Sequence, residues 1–377
     1  MDSPKMYDHL IEPQAPLVFR SGRPFGAGSR DGAHFPWPSS VAGLLRTQVM
    51  DDRDWRPSLS AEHRDELNAL GAHGPILAQR VGDRITPMLP RPADAILLAS
   101  DDGGTAYHRL APGTLPAGCG CDLPPGLRPL LLAEAPKGKP QPGPAFWPLA
   151  KLLAWRRGEA IRPFAADEPA GEARSHVALD RATLAADPGR LFQTEGLDFS
   201  RRRNDSGRAF AATDWVLLCR FASPLAPRMV TFGGEGRLSW LSPAPPATLD
   251  APPEHLATVA ASRHLTLTLV TPALFADGWR PAWLDGAGEV PGIAGLRLRL
   301  RAAAVERWQG ISGWDLAEWR PKAARKTVAA GATYWFDVVG EPPAGWASRL
   351  WLAPISDQPQ DRRDGFGLVV PGLWNHP

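Results

Sequence analysis

The arginines offer the clearest chemistry in this chain. Only six of its 42 basic residues are lysine, so almost all positive charge sits on planar guanidinium groups, which suit bidentate phosphate contacts and stacking on bases. Codon usage that favours Arg, Ala, Gly and Pro accounts for the total equally well, so only placement is informative. Arg201, Arg202, Arg203 and Arg208 surround an Asn204-Asp205-Ser206-Gly207 turn and form a local cationic finger. Its plain alternative is a solvated turn. Gly233-Gly234-Glu235-Gly236-Arg237 puts three glycines in four positions, which opens backbone amides to phosphate oxygens and sets Arg237 beside them. Any tight hairpin can use such a run, and no Lys-Ser/Thr pair follows it, so nucleotide hydrolysis is not expected. A loop with Gly22, Gly26, Gly28 and Gly32 carries Arg23 and Arg30 and lets amides and guanidinium groups approach an anion. Lys322, Arg325 and Lys326 form a further basic loop, facing a phosphate backbone or simply water.

No catalytic constellation accompanies these cations. Asp51-Asp52 and Asp101-Asp102 are adjacent pairs whose carboxylates diverge, which fits solvated surface better than metal binding. His108 with Cys119 and Cys121 lacks a fourth zinc ligand at sensible spacing, and three cysteines make no disulfide framework. No metal or cofactor is expected. His176 alternates with Val177 in a strand pattern, so a structural role outweighs general acid or base work. A formal charge of +2 and a pI near 8.5 make no general case for nucleic acid; basic surface must be local. Residues 1–8 lack a signal-peptide core and no apolar run reaches membrane-spanning length, so a soluble, cytoplasmic protein without membrane contact is expected.

Behind these residues stand the elements that must position them. The length of 377 residues with 44 % hydrophobic content predicts two domains. Leu17, Val18 and Phe19 predict a strand over 15–20, and Val41, Leu44, Leu45 and Val49 predict a helix capped by Ser39 or Ser40. A two-strand meander is expected over 74–92 and a strand or short helix over 93–98. Pro and Gly dominate 111–148, read as an insertion over the surface, and an amphipathic helix follows at 146–155. Strands are expected at 174–180 and 189–195, and 197–199 with 210–221 read as the arms of a hairpin tipped by the cationic finger. Strand, glycine loop and strand follow over 229–241, and the Pro-rich 242–255 reads as a linker. Further strands are expected near 265–270, 296–300, with Arg297 and Arg299 on the face opposite its apolar residues, 330–339 and 365–370. Nine of the 15 tryptophans lie beyond residue 275, which core packing or an interface explains best.

Several of these stretches carry a resemblance. Glu12-Pro13, Phe19-Arg20-Ser21-Gly22-Arg23-Pro24-Phe25 and Pro38-Ser39-Ser40-Val41-Ala42-Gly43-Leu44-Leu45-Arg46-Thr47 are similar to the opening of the RAMP-superfamily subunit three of the type III-B (Cmr) CRISPR effector complex. His176 to Asp180, Gly189 to Glu195, the Gly233 loop, Gly278-Trp279-Arg280-Pro281, Ile311 to Leu316, Pro321 to Arg325 and Ala330 to Phe336 resemble that family too, while 50–165 does so weakly. The resemblance implies an α+β fold of two ferredoxin-like (RRM-like) RAMP domains: 1–245, with the insertion (about 111–148) and a basic β-hairpin (about 197–215), and 246–377. It implies a non-catalytic, RNA-binding subunit in antiviral defence that holds the 5′ repeat-derived tag of the guide RNA. The implied partners are that RNA, the large polymerase-like subunit and the backbone RAMP subunit that the chain would bridge. RNA contacts are then expected at Arg20, Arg23, Phe25, Gly26, Arg46, Arg174, His176, Arg201, Arg202, Arg203, Arg208, Gly233, Gly234, Gly236, Arg237, Lys322 and Arg325. The alternative is a guide-processing endoribonuclease in which His176 moves a proton.

Overall fold

Proline decides how far the second stretch of the opening segment can pair. Pro16 has no amide hydrogen for a ladder, so the strand expected over 15–20 shrinks to one isolated bridge, Leu17 to Leu197, and the true first strand, β1, runs earlier, Tyr7–Pro13. The computed structural model describes residues 5–20, 30–55, 60–99, 103–132, 138–166, 168–199, 215–315 and 320–374. These fall into two units, each assembled from three stretches of chain: Met1–Thr86, Pro169–Thr248 and Gly310–Lys326 in the first, Pro87–Glu168, Leu249–Gln309 and Thr327–Pro377 in the second. The seam at Thr248 lies inside the Pro-rich 242–255.

In the first unit, α1 (Pro38–Asp52) lies against β2 (Ala72–Val81) and buries Val41, Leu44, Leu45 and Val49. Trp37 is its N-cap, without a side-chain cap, because Pro38 occupies the first turn where a missing amide hydrogen costs nothing; the serines expected to cap lie inside the helix. A short α2 (Ala61–Ala69) is capped by Ser60, whose Oγ accepts from the His63 amide at 3.1 Å. Five further strands of this unit matter for the site: β3 (Ala170–Leu179), β4 (Ala186–Asp198), β5 (Trp215–Phe221), β6 (Arg228–Thr231) and β7 (Leu238–Pro243). The main sheet runs β6-β7-β1-β5-β2, with β1 antiparallel to both β5 and β7 and β5 antiparallel to β2. Taken in chain order, β1, β2, β5 and β7 lie side by side as fourth, first, third and second.

The arms expected to pair across 197–221 do not. Val216, Leu217 and Leu218 are fully buried, and such a continuous apolar run suits a central strand, so β5 takes the place between β1 and β2. β4 instead forms a hairpin with β3 and pairs in parallel with the two-residue strand Arg30–Asp31. The cationic tip, with Arg201, Arg202, Arg203 and Arg208, lies outside the described residues, as do Arg23, Phe25 and Gly26.

The second unit repeats the strand order. Its sheet, β9-β10-β8-β11, is built from β8 (His264–Leu269), β9 (Arg297–Ala304), β10 (Thr333–Val339) and β11 (Val369–Leu373), antiparallel throughout. One face packs Leu265, Leu267, Leu298, Phe336 and Val369 with Val259 of α4 (Pro253–Ala260) and with Trp346, Ala347 and Leu350 of α5 (Trp346–Leu350). On the other face, Trp335 and Trp374 meet Ala93 and Leu130, and the Arg128 amide donates to the Arg301 carbonyl at 2.7 Å. The Pro/Gly-rich stretch is therefore more than surface: part of it roofs one half of this sheet. The same lobe holds the strands Ala95–Ala99, Thr105–Pro112 and Leu130–Leu132 and α3, reduced to Leu149–Arg156 because 146–148 form a short strand. Its centre is Trp147, Trp155 and Ala95 with Tyr107 and Phe164. Beside it Asp94 and Arg156, 1 % and 2 % exposed, form a buried ion pair that Trp155 Nε1 joins at 2.9 Å. No helix among the described residues is long and apolar enough to cross a membrane.

Candidate nucleic-acid interface

The first unit gathers part of the expected site around the glycine loop between β6 and β7. Gly233 has φ 84° and ψ −173°, a conformation open essentially to glycine alone, while Glu235 and Gly236 have φ of 60° and 65°. Space demands glycine as well: a Cβ on Gly233 would stand 3.0 Å from the Val18 carbonyl oxygen and 3.3 Å from the Phe19 ring. The Gly234 amide donates to Val18 O at 2.8 Å, and Phe19 meets Phe232 edge to face with centroids 5.0 Å apart. The loop is thus docked on 17–19, and one of the amides expected to cradle phosphate is spent on that docking.

β4 holds the other side of the same segment. Leu17 and Leu197 exchange two backbone hydrogen bonds, 2.9 and 2.8 Å, and a Cβ on Gly196 would meet Leu17 O at 3.2 Å. Arg30 pairs with Gln193 on β4 as well, so the described residues before and after 21–29 both reach this strand. Arg20, exposed, ends the segment at that point.

Arg174 and His176 project from the same face of β3, since residues two apart on a strand share a side. His176 is fixed: Nε2 lies 2.8 Å from Thr194 Oγ1 and the ring stacks on Phe192 with centroids 5.1 Å apart. Arg174 Nε donates to Glu172 Oε1 at 2.7 Å, and Arg237 pairs with Glu235. The Glu172 hydrogen bond first holds the Arg174 guanidinium above its ordinary value; desolvation opposes it, and the Glu172 and Glu235 charges add to it. Two arginines therefore share their surroundings with two glutamates. The sequence reading named the cations and missed Glu172 and Glu235, although the signal was present: Glu172 and Arg174 are two apart on one strand, and Glu235 and Arg237 are two apart in one loop.

Other expected contacts lie elsewhere. Arg46 sits on α1, where Nε and Nη2 donate to the Leu70 carbonyl at 3.2 and 2.9 Å and close the end of α2. Lys322 and Arg325 belong to the separate 310–326 stretch, in which the Lys322 amide donates to Gly313 O at 2.8 Å and Ser312 Oγ to Lys322 O at 2.7 Å. Among the described residues no group of three or more His, Cys, Asp or Glu side chains could hold a metal ion.

Two antiparallel sheets of one strand order, the first carrying a docked glycine loop, define a mixed α/β protein dominated by antiparallel pairing. Residues 9–374 match the family described as CRISPR-associated protein (Cas_Cmr3), and the chain belongs to that family. No curated protein matches it. Among solved structures the chain is similar to one in "Cryo-EM structure of the Type III-B Cmr-beta bound to cognate target RNA and AMPPnP, state 1", with 15 % identity over 87 % of this chain and 86 % of that one and a TM-score of 0.48. A second similarity is to a chain of Type III-B Cmr-beta bound to cognate target RNA, with 14 % identity, the same coverage and a TM-score of 0.47.

Proposed function

We propose that this chain is a non-catalytic subunit of a type III-B CRISPR effector complex that holds the 5′ repeat-derived tag of the guide RNA and bridges the large polymerase-like subunit to the backbone RAMP subunits. The observation that carries the reading is membership of the Cas_Cmr3 family along nearly the whole chain. The sheet order supports the accompanying fold proposal, two ferredoxin-like modules, one around β1, β2, β5 and β7 and one in β8 to β11. RNA would meet the glycine-loop side of the first module through Arg20, Arg174 and Arg237, with Arg23, Phe25, Gly26, Arg201, Arg202, Arg203 and Arg208 proposed as further contacts and Arg46, Lys322 and Arg325 as outlying cations. Phosphate oxygens would take over guanidinium hydrogens now engaged by Glu172 and Glu235, so the internal ion pairs tune affinity downward and keep the site selective for a properly shaped backbone. A binding role for His176 fits its fixed geometry, because a ring bonded to Thr194 and stacked on Phe192 is badly placed to travel with a proton.

Photocrosslinking tests this directly. A guide RNA with 4-thiouridine in its 5′ tag, assembled into the purified complex, is expected to crosslink to this chain within 20–30, 170–210 or 230–240; no crosslink to this chain overturns the assignment. With about five phosphates neutralised, affinity for single-stranded RNA falls with log salt at a slope near −3.5.

A further inference from the structure

The face of the second unit's sheet is only half roofed, and the open half carries arginine. Leu298 and Leu300 of β9 point into the helix-side core, so Arg297 and Arg299 rise on the opposite face, where Arg301, at a bulge in the ladder, reaches Asp337. Across the ladder Arg299 stands opposite Asp337 and Arg297 opposite Val339, while His264 of β8 stands opposite Asp337. Asp337 is fully engaged: Oδ1 lies 2.8 Å from His264 Nδ1, and Oδ2 accepts from Arg301 Nε. Of the neighbouring carboxylates, Glu341 is held by Arg263 at 2.7 Å and Glu289 stands across a backbone bridge from Arg297. Arg297 and Arg299 are exposed and make no ion pair or side-chain hydrogen bond among the described residues.

We infer that this strip is a second contact for single-stranded RNA, separate from the glycine-loop side and assigned to phosphates rather than bases. Two strand residues on one face lie about 6.8 Å apart, two rises of about 3.4 Å. Successive phosphates of an extended nucleic-acid strand repeat on the same scale, so one RNA backbone laid along β9 meets Arg297 and Arg299 in turn. Asp337 holds Arg301 down as a fixed cation behind them, and the His264 ring, packed edge-on to Trp374 at 5.5 Å, closes the row. Three guanidinium groups along one strand, with Asp337 already taken and Glu289 standing across from Arg297, outnumber the carboxylates beside them and leave charge that a polyanion neutralises.

The inference rests on the reading that the chain carries RNA, and the test separates the two. Fluorescence anisotropy with a fluorescein-labelled oligouridylate measures affinity of the full chain across salt, for the natural protein, R297A/R299A and R297K/R299K. Removing two phosphate contacts lowers the salt slope by about 1.4, so between about 50 and 200 mM salt the natural protein loses about 7-fold more affinity than R297A/R299A, while R297K/R299K keeps the natural slope. An R297A/R299A slope equal to the natural one overturns this inference and leaves the glycine-loop side standing. A natural protein that fails to bind the oligouridylate overturns both.

Discussion

Replacing Gly233 by alanine tests whether the glycine loop is built for docking on 17–19 or merely turns a hairpin. The backbone at φ 84° and ψ −173° lies outside the regions an alanine tolerates, which costs about 1–3 kcal/mol. The new methyl group would also meet Val18 O at 3.0 Å and the Phe19 ring at 3.3 Å, and relieving that overlap in a packed site costs a further 1–3 kcal/mol or so. Together the two terms give about 2–4 kcal/mol if the loop shifts to share them. Gly236 provides the control: its φ is 65°, but a Cβ there meets nothing within 4 Å, so Gly236→Ala carries only the left-handed penalty of about 1–2 kcal/mol. Urea unfolding followed by tryptophan fluorescence, with guide-RNA affinity measured on the same samples, ranks the two. Gly233→Ala is expected to be the more costly in both readouts. A Gly233→Ala protein as stable as Gly236→Ala would refute the docking argument.

Breaking the buried pair by Asp94→Ala leaves the Arg156 guanidinium and the Trp155 indole N–H without their carboxylate, so a loss of about 3–5 kcal/mol is expected in the same assay. The double replacement Asp94→Leu/Arg156→Met recovers most of it, and a double variant as weak as the sum of the singles would contradict that. Burial, then the Arg220 charge, pushes His73 down from 6.5 to about 4, and burial lowers His9 and His255 as well. The His73 ring folds neutral while the unfolded chain takes up a proton below 6.5, so its contribution is complete above that pH and fades as pH falls toward about 4, with His9 and His255 acting in the same direction; melting temperatures across pH 4–7 report it, and a His73→Gln variant flattens the curve. Replacing Arg201, Arg202 and Arg203 together by alanine is expected to weaken guide retention with an unchanged melting temperature, and unchanged retention removes the finger from the site.

Much of the fold was legible because burial imposes periodicity. The helix face of Val41, Leu44, Leu45 and Val49, the meander after residue 74 and the strands around 265, 297, 333 and 369 all stand where spacing put them. Pairing was harder to read, since it is decided by partners far away in sequence. The 215–221 run looks like a hairpin arm when read locally, and only the burial of Val216, Leu217 and Leu218 on a central strand reveals its neighbours. Proline misled in the other direction: Leu17 to Phe19 are buried as a strand would be, but Pro16 leaves them a single bridge. At the candidate site, the arginines stand out in a sequence and the spacing of two hints at their local partners Glu172 and Glu235. That Glu235 acts on Arg174 as well as on Arg237 shows only once the loop and β3 lie close together.

The first strand waits a long time for its neighbours. Leu10 lines up with Leu218, and His9 with Pro243, so a ribosome must release most of the chain before β1 gains either flank. Until then a bare strand edge rich in apolar side chains is exposed in the cell. Early termination before residue 243 is therefore expected to yield an aggregation-prone fragment rather than a smaller working piece, and the slow closure of such distant contacts makes chaperones useful during synthesis.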